Sequence, residues 1–546
     1  MKFFDFLKYK PKETYKFTIP ENSNNLPEEN NIKQKIFSNI DNNLNYLNNK
    51  YSLLINSDIV TKEFKITIQN KNYKAILIFI DGMVNTNSIN DFILKPIMLK
   101  NSILMKSFSP RTINLSKNQI NLENFLYESL IPQNSIKKSK NFDDLIEKIN
   151  SGFSALFIDT LDIAFCIEAR DLKVRSISPP QNESVVKGSQ EGFVENIRVN
   201  TSLVRKIVNN ENLIIEEINV GKISKTKVAI LYMKNITNDS LVSEVKYRIN
   251  NLDIDYLTSS GQLEQLIQDN KLSPFPQVLS TERPDRVSNN LFAGRIAIIV
   301  NGTPFALIVP GIFTDFIVSP EDENLNSIFA NFLRIIRCIA IFFALFLPGF
   351  YVAITNFHQE LIPSELLFAI SSSREAIPFP VIFEIILMEV SFELIREAGL
   401  RISSSFSTTV GIIGALILGD AAVSANIVSP ILIIIVAFTG ICSFSIPDFS
   451  LGFALRIFRF MYIILGYIAG FLGIAFGAFI QFLLLNNINS FGISYFTPFL
   501  PIDKLFTDSG AFLKPFWKRE NRNSYLNTKR PIQENDISMK WRLNGK

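Results

Sequence analysis

Long apolar runs between Arg334 and Asn486 constrain this chain more than any other feature of its sequence. A helix needs about 20 consecutive apolar residues to cross roughly 30 Å of hydrocarbon. Four segments meet that requirement, namely 335–355, 407–426, 429–446 and 458–485. The sequence therefore predicts a helical multi-pass membrane domain over residues 331–490, with about four or five spans. Within it, the segment 361–400 is expected to be amphipathic or to enter the membrane without crossing it.

Residues 1–330 have the composition of a soluble protein. Apolar strand-like runs such as 75–80 and 227–233 alternate with helical patterns such as 195–208, which is typical of α/β folds. The fold class predicted is an α/β N-terminal region of two subdomains, followed by the α-helical membrane domain. The divisions expected are a flexible Asn-rich segment (1–40), α/β subdomains (41–140 and 141–330), the membrane domain (331–490) and a basic tail (491–546).

Residues 295–309 hold the clearest turn signal of the chain. Asn301-Gly302 separates two short apolar runs, and this pair supplies the positive φ angles of a tight hairpin turn. A membrane span over 291–313 is the alternative, but the interruption leaves runs too short to cross hydrocarbon. The sequence favours a β-hairpin.

The distribution of basic residues indicates an orientation. Arg334 and Arg337 precede the first apolar run, and residues 503–546 contain ten Lys or Arg against five Asp or Glu. Positive charge favours the cytoplasmic side of a membrane. The N-terminal residues also lack the apolar core and cleavage site of a secretory signal. Both termini and the α/β region are therefore expected on the cytoplasmic side.

Few residues suited to catalysis or metal binding are present. The three cysteines (Cys166, Cys338 and Cys442) have no metal or redox spacing, and His358 is the single histidine. There is no P-loop and no Gly-x-Ser-x-Gly motif. A net charge of +4 is too small to suggest nucleic-acid binding. We expect no enzymatic activity, no cofactor and no metal.

Carboxylates occur within the apolar region, where a charge in hydrocarbon costs roughly 2.5–3.5 kcal/mol even on a lenient scale. Glu389, Glu393 and Glu397 fall within a sector of about 80° on one helix. One interpretation is an interfacial helix whose acids pair with Arg396 and Arg401. The other is an acidic stripe that lines a cation path. The residues alone leave both open.

Two further acids lie outside this stripe. Glu384 is on the same segment but off the sector. Asp420 follows Gly419 within an apolar run, and it either caps the turn at 425–430 or contributes to a cation path.

Glycines repeat along one face of the last apolar segment, at spacings of four, three and four: Gly466, Gly470, Gly473 and Gly477. Small residues on one helix face allow two backbones to approach closely. The sequence predicts helix packing there, within the chain or between chains.

Several motifs together resemble the A-subunit family of spore-germination receptors, the GerA type, over residues 40–517. They are REAIPFP at 374–380, FELIREAGLR at 392–401, GIIGALILG at 411–419, VSP at 428–430, KGSQEGFVE at 187–195, Gly294-Arg295, NGTP at 301–304 and YFTP at 495–498. The resemblance implies a multi-pass protein of the spore inner membrane that works with B and C subunits. It also implies that A subunits assemble into a homo-oligomeric ion channel, opened by a nutrient germinant to release monovalent cations.

On that resemblance the candidate gate and ion path lie within 378–420. The candidate residues are Glu389, Glu393, Glu397, Asp420, Val410, Gly411 and Gly414. A secondary transporter is an alternative, since Pro378 and Pro380 could break a helix beside an intramembrane acid. About four spans and no visible internal repeat weigh against it. An accessory A-like spore membrane channel that does not itself sense nutrients is a further alternative.

Overall fold

The computed structural model describes residues 17–21, 34–68, 71–98, 135–170, 180, 182–401, 419–499 and 512–533. These residues divide into two compact units. The α/β unit comprises the described parts of 15–268, 278–310 and 519–546. The helical unit comprises the described parts of 269–277 and 311–518, so it begins in the sequence before the predicted position 331.

Two five-stranded sheets form the centre of the α/β unit, and both have the same strand order. The first is ordered β1-β2-β4-β5-β3 and the second β6-β7-β9-β10-β8, with every pairing antiparallel. The strands are β1 (Ile59–Ile68), β2 (Lys71–Ile80), β3 (Ile136–Ser139), β4 (Phe153–Ile158), β5 (Ala164–Glu168), β6 (Leu213–Val220), β7 (Thr226–Met233), β8 (Leu279–Thr281), β9 (Ile296–Val300) and β10 (Ala306–Val309).

Helices connect the strands in the same order in both halves. They are α1 (Ile40–Tyr51), α2 (helical over 86–98, with a π-helical stretch at Ile89–Leu94), α3 (Phe142–Asn150), α4 (Ile197–Ile207), α5 (Asp239–Asn250), α6 (Ser260–Ile267) and α7 (Pro284–Ala293). Within the described residues, each half therefore runs helix, two strands, helix, strand, helix, two strands, and the second half also contains α6. This internal repeat was not visible in the sequence.

The first sheet is buried on both faces because its strands alternate between two cores. Leu77 packs with α2 residues such as Ile93 on one face, while Ile76 and Ile78 pack with α1 and α3 on the other. Strands β4 and β5 lie within this sheet. The predicted subdomain boundary between 140 and 141 therefore falls inside the first sheet, because β4 pairs with β2 as well as with β5.

The second sheet contains the predicted hairpin. Strands β9 and β10 pair antiparallel and are completely buried, so the prediction of a hairpin over 295–309 is confirmed. Of the two turn residues Asn301 and Gly302, only Gly302 has a positive φ angle. Helices α4 and α7 pack against β7 and β9, while α5 contacts β6 and α6 contacts β10.

The helical unit is built mainly from apolar helices. They are α8 (Ser327–Phe357), α9 (Ser364–Arg374), α10 (Val381–Arg401), α11 (Pro430–Phe444) and α12 (Phe449–Asn486), with a short helical stretch at 419–424 and a small hairpin of β11 (Asn489–Ser490) and β12 (Ile493–Ser494). Short 3-10 helices lie at Phe313–Phe316, Pro320–Asn324, Gln359–Leu361 and Phe516–Lys518 in this unit, and at Ser524–Leu526 in the α/β unit.

Two helices within the described residues, α8 and α12, have the length and composition of a membrane span, although α12 reaches its full length only as two arms that meet at 469–470. Helix α8 contains the predicted segment 335–355. Helix α11 occupies the predicted segment 429–446 but has only 15 residues, which is about 22 Å. Most of the predicted segment 407–426, including Val410, Gly411 and Gly414, lies outside the described residues.

The predicted span 458–485 is divided, because α12 folds back on itself. Ala469 and Gly470 have non-helical angles, and Gly470 has φ 60° and ψ −140°, a conformation that glycine tolerates best. The Tyr462 hydroxyl lies 2.5 Å from Gln481 Oε1, although 19 residues of straight helix would separate them by about 28 Å. The arms 449–468 and 471–486 thus pack side by side.

The four glycines of the repeat lie in this folded helix. A Cβ added at Gly466 would meet the Gly349 carbonyl oxygen of α8 at 2.7 Å, so two backbones touch there. One added at Gly473 would meet Leu465 of the other arm, and one added at Gly477 would meet Leu465 and Tyr462. Gly470 forms the reversal itself. The glycines therefore pack helices within this chain.

Candidate functional site

Helix α10 carries two glutamates into the interior of the helical unit. Glu389 is fully buried, and Arg459 of α12 lies between it and Glu393. Arg459 Nη2 is 3.0 Å from Glu389 Oε2 and 2.8 Å from Glu393 Oε1. One guanidinium group therefore bridges two carboxylates that lie one helical turn apart.

Two more arginines converge on Glu393. Arg456 Nη1 lies 3.0 Å from Glu393 Oε2, and Arg396 Nη1 lies 3.5 Å from Glu393 Oε1. Arg396 also donates to Ser443 Oγ on α11 at 3.0 Å. These five charged side chains (Glu389, Glu393, Arg396, Arg456 and Arg459), named here the Glu–Arg cluster, connect α10, α11 and α12.

Aromatic rings cover part of the cluster. The Arg396 guanidinium lies 5.3 Å from the Phe392 ring centre and 4.8 Å from that of Phe444. Arg456 lies 4.0 Å from the centre of Phe453. A cation above an aromatic face is stabilised by about 0.5–2 kcal/mol, more when water is excluded. The rings therefore help to keep the arginines in an apolar environment.

The charges of the cluster do not balance, and its hydrogen bonds are incomplete. Two carboxylates face three guanidinium groups, which leaves one formal positive charge in excess. Within the described residues, Arg459 Nε and Nη1 and Arg396 Nε have no hydrogen-bond partner. Both oxygens of Glu389 also lack one, because the contact with Arg459 is close but poorly aligned. A half-satisfied buried network of this kind stabilises a fold weakly.

Glu384 lies five residues before Glu389 on α10 and has different partners. Its Oε2 accepts a hydrogen bond of 3.1 Å from the backbone N–H of Ser429, the residue that caps α11. Arg374 Nη2 lies 3.4 Å from its other oxygen. Glu384, which the helical projection placed off the acidic stripe, is thus buried and holds the start of α11 against α10.

The other predicted acids are not part of the cluster. Glu397 and Asp420 are exposed on the helices that carry them. Val410, Gly411 and Gly414 lie outside the described residues, as does the side chain of Arg401. Of the predicted stripe, the structure therefore brings together Glu389 and Glu393, and it pairs them with arginines rather than leaving them open to a cation.

Arg456 and Arg459 are not among the residues that the sequence singled out as partners of the glutamates. Two arginines three residues apart in an apolar helix share one face, and that spacing is the signal that could have paired them with Glu389 and Glu393.

A second ion-pair site lies at the start of α8. Asp322 is fully buried and binds Arg337 through both carboxylate oxygens, at 2.7 and 2.9 Å, while Arg334 Nε lies 3.2 Å away. The two arginines that indicated membrane orientation are therefore held by a carboxylate of the same unit.

The single histidine lies at the reversal of α12. The backbone N–H of Phe471, the first residue of the second arm, donates to His358 Nε2 at 3.4 Å. The imidazole also stacks on the Phe471 ring with a centre-to-centre distance of 4.7 Å. His358 thus satisfies one of the N–H groups that a helix start leaves without an internal partner.

Metal and thiol chemistry find little support in the described residues. No group of three or more His, Cys, Asp or Glu side chains among them could hold a metal ion. Cys166 is buried in the first sheet, and burial raises the pKa of its thiol to about 12. That thiol is therefore protonated at neutral pH and a poor nucleophile.

Comparison with known proteins gives a consistent result. Residues 45–525 match the family described as Bacillus/Clostridium GerA spore germination protein. The chain is 37% identical to spore germination protein KA of Bacillus subtilis over 466 residues, 85% of this chain and 83% of that protein. It is 41% identical to spore germination protein A1 of the same organism, over 65% of this chain and 73% of that protein.

Two further similarities were found. An uncharacterized membrane protein of Bacillus subtilis, YfkQ, is 36% identical over 85% of this chain and 87% of its own length. Among solved structures, the N-terminal domain of the A subunit of the Bacillus megaterium spore germinant receptor GerK3 is 31% identical. The match covers 52% of this chain and 98% of that domain, with a TM-score of 0.38.

Proposed function

The chain belongs to the GerA family of spore germination receptor A subunits, and from this premise we propose that it forms a germinant-gated ion channel. The channel is a homo-oligomer in the spore inner membrane, assembled with B and C subunits, with both termini on the cytoplasmic side. Binding of a nutrient germinant opens it, and it releases monovalent cations at the start of germination. On this proposal the chain catalyses no reaction and uses no cofactor.

The observation that carries the proposal is the Glu–Arg cluster. It lies in the unit that contains the apolar helices α8 and α12, and it joins three helices through an incompletely satisfied network. A gate needs an element with two arrangements that differ by only a few kcal/mol. On this proposal the cluster is that element, because its donors without partners can gain hydrogen bonds to water when the helices separate.

In the closed state, the arginines form ion pairs with the carboxylates. Arg456 and Arg459 both bind Glu393, whose side chain is 26% exposed and lies at the rim of the cluster. In the open state, α10 moves away from α12, and Glu393 offers its carboxylate to passing cations. The candidate gate residues Val410, Gly411 and Gly414 remain predictions for the segment that follows α10.

Potassium flux from loaded liposomes tests the proposal. The chain would be reconstituted alone and with its B and C subunits, and efflux recorded before and after a germinant mixture is added. We expect efflux only from the complete receptor with germinant. Failure of every assembly to conduct, under all these conditions, would exclude the channel.

A pair of variants tests the role assigned to the cluster. Glu393→Gln removes the counter-ion shared by three arginines, so we expect efflux without germinant. Glu397→Gln is the matched control, because it removes an exposed carboxylate one turn away on the same helix. Equal behaviour of the two variants would remove the cluster from the gate while leaving the channel itself intact.

The alternatives predict different measurements. A secondary transporter would move its substrate against a gradient when coupled to an ion gradient. A channel would carry cations only down their own gradient. An accessory A-like channel would conduct without B and C subunits and without germinant.

A further inference from the structure

The end of the described chain returns to the α/β unit after the helical unit. Residues 519–533, named here the C-terminal strap, form a closed loop in which the Asn521 backbone pairs with Ile532. Arg522 closes this loop and links it to α7. Its guanidinium donates to the carbonyl oxygens of Phe292, Arg530 and Ile532 at 2.8, 2.8 and 2.9 Å.

The middle of the strap is inserted into the surface between β7 and α5. The side chain of Leu526 is completely buried. The buried Asn238 side chain donates to the Asn527 carbonyl oxygen at 2.9 Å, and the Lys529 backbone N–H donates to the Ile236 carbonyl oxygen at 2.9 Å. Asn238 also caps α5, so one side chain both starts this helix and binds the strap.

The Gly294-Arg295 motif forms the other side of this surface. Gly294 ends α7 with φ 97°, and a Cβ placed there would lie 2.5 Å from Thr528 Cγ2. Arg295 Nη2 lies 3.0 Å from the hydroxyl oxygen of Tyr525. The sequence singles out this motif through family resemblance, and its contacts are with the strap rather than with the Glu–Arg cluster.

The covalent path gives this contact a mechanical consequence. In the sequence, most of the helical unit lies between Pro310 and Arg519, and both of these residues belong to the α/β unit. The stretch 269–277 also belongs to the helical unit, so the sequence joins that unit to the α/β unit at four points, 268/269, 277/278, 310/311 and 518/519. Detachment of the strap removes the attachment at the last of these points.

We propose that the surface formed by residues 234–239 and 290–295 is a docking site for the chain's own C-terminal strap, and that this docking couples the α/β unit to the helical unit. The strap binds through hydrogen bonds to backbone carbonyl oxygens, through side-chain contacts of Tyr525 and Lys529, and through a buried apolar anchor at Leu526. Such a contact can release and rebind while both sheets stay folded. The docking itself does not depend on the channel activity proposed above.

Hydrogen exchange of the full chain tests the docking. Arg522→Ala removes one hydrogen bond to Phe292 and two that close the strap itself, so we expect strap amides and those of 234–239 to exchange about tenfold faster. Amides of β4 should be unchanged. Arg522→Lys keeps the charge but not the planar fork, and it should give an intermediate result. Lys518→Ala is the control, since this exposed lysine precedes the strap.

A synthetic peptide of residues 519–533 distinguishes docking from a merely structural role. Added to the Arg522→Ala protein, the peptide should restore slow exchange at 234–239, and a peptide carrying the same substitution should not. Unchanged exchange in the variant overturns the proposal. So does faster exchange across both sheets, since the strap would then be part of the fold rather than a separable contact.

A cross-link tests the coupling. The Cβ position at Gly294 lies 3.6 Å from Thr528 Cβ, within the range of about 3.5–4.5 Å for disulfides, and the positive φ angle strains a cysteine there in both the reduced and the oxidised protein. A Gly294→Cys, Thr528→Cys protein with Cys338→Ser should cross-link on mild oxidation, and the locked receptor should respond less to germinant than the reduced one. Equal responses overturn the coupling. Absence of flux from the unmodified receptor counts against the channel alone, because exchange and cross-linking report docking separately.

Discussion

Arg205 in the α/β unit and Arg459 in the helical unit are both buried guanidinium groups, and they are satisfied to different degrees. Arg205 binds both oxygens of Asp58, at 2.9 and 3.0 Å, and donates to the Leu213 carbonyl oxygen at 3.0 Å. Arg459 makes its closest contacts through Nη2 alone, and its Nε and Nη1 have no partner among the described residues.

The difference follows from what surrounds each group. Asp58 precedes β1 and Leu213 begins β6, so ordered strand ends supply fixed carbonyl oxygens to Arg205. Asn56 adds to the same contact by accepting from the Ile215 backbone N–H at 2.9 Å. Around Arg459 the helices keep their carbonyls within their own turns, and only side chains remain as partners. The first arrangement fixes two sheets together, and the second permits rearrangement.

Removal of Arg205 should have the largest effect on stability. In Arg205→Met, Asp58 loses its buried counter-ion, so we expect a loss of about 3–5 kcal/mol in the free energy of unfolding. Arg198→Met is the matched control on the same helix, since Arg198 pairs with Asp81 at the surface and such pairs contribute about 0–1 kcal/mol. Hydrogen exchange of β1 and β6 amides measures both variants. Equal losses would contradict the comparison.

The same variant should show a distinct pH dependence. Burial raises the pKa of the Asp58 carboxyl above its usual 3.8, against the lowering effect of Arg205. A carboxyl whose pKa is raised in the folded state stabilises the fold at pH values below its pKa in the unfolded chain. This stabilisation is lost as the pH rises through its pKa in the folded state. Loss of Arg205 raises the folded pKa further. The loss in free energy of unfolding caused by Arg205→Met should therefore be greatest near neutral pH and should decrease as the pH is lowered.

Removal of Arg459 should cost less, and this ordering is the sharpest test of the comparison. In Arg459→Met, Glu393 keeps Arg456 and Arg396, so only Glu389 loses its arginine. We expect a loss of about 2–3 kcal/mol, smaller than for an isolated buried pair. Adding Glu389→Gln should recover part of it, which a double-mutant cycle by thermal denaturation in detergent would measure. A loss greater than that of Arg205→Met would mean that the cluster is a structural contact that stabilises the fold and not an element that rearranges.

The sequence predicted local structure well where one residue pattern decides it. The apolar runs at 75–80 and 227–233 lie in β2 and β7, because a strand buried on both faces must be apolar throughout. The spacing of Glu389 and Glu393 correctly indicated a shared face. Their partner Arg459 is 66 residues away from Glu393, and no local period contains that information.

Tertiary organisation was predicted less completely for a related reason. The glycine repeat indicated close packing, but the positive φ angle of Gly470 and the reversal of α12 depend on contacts between the two arms. The repeated strand order of the two sheets was also hidden, because side chains that fill similar positions need share only size and polarity. The predicted gate residues Val410, Gly411 and Gly414 fall outside the described residues.

The next largest effect on stability should come from the close approach of two helix backbones at Gly466. Gly466→Ala would place a methyl group 2.7 Å from the Gly349 carbonyl oxygen, and neither backbone can move cheaply. We expect a loss of about 1–3 kcal/mol. Gly452→Ala is the control in the same helix, since nothing lies within 4 Å of an added Cβ there. Alanine at 452 should raise stability by up to about 1 kcal/mol. Thermal denaturation of both variants in detergent would show opposite shifts, and equal shifts would remove the backbone contact from the comparison.

The smallest effect should come from His358. Its hydrogen bond tests whether a polar contact in the helical unit contributes to stability as the contacts around Arg205 do. His358→Phe keeps the stack on Phe471 but leaves its backbone N–H without an acceptor, which costs about 1 kcal/mol. His358→Gln places an amide oxygen near the position of Nε2 and should lose the stack alone. Exchange of the first amides of the arm 471–486 separates the two, and it should be faster in the phenylalanine variant. If the glutamine variant exchanges as fast, the ring stack rather than the hydrogen bond holds the reversal, and polar contacts in this unit contribute less than their counterparts between the two sheets.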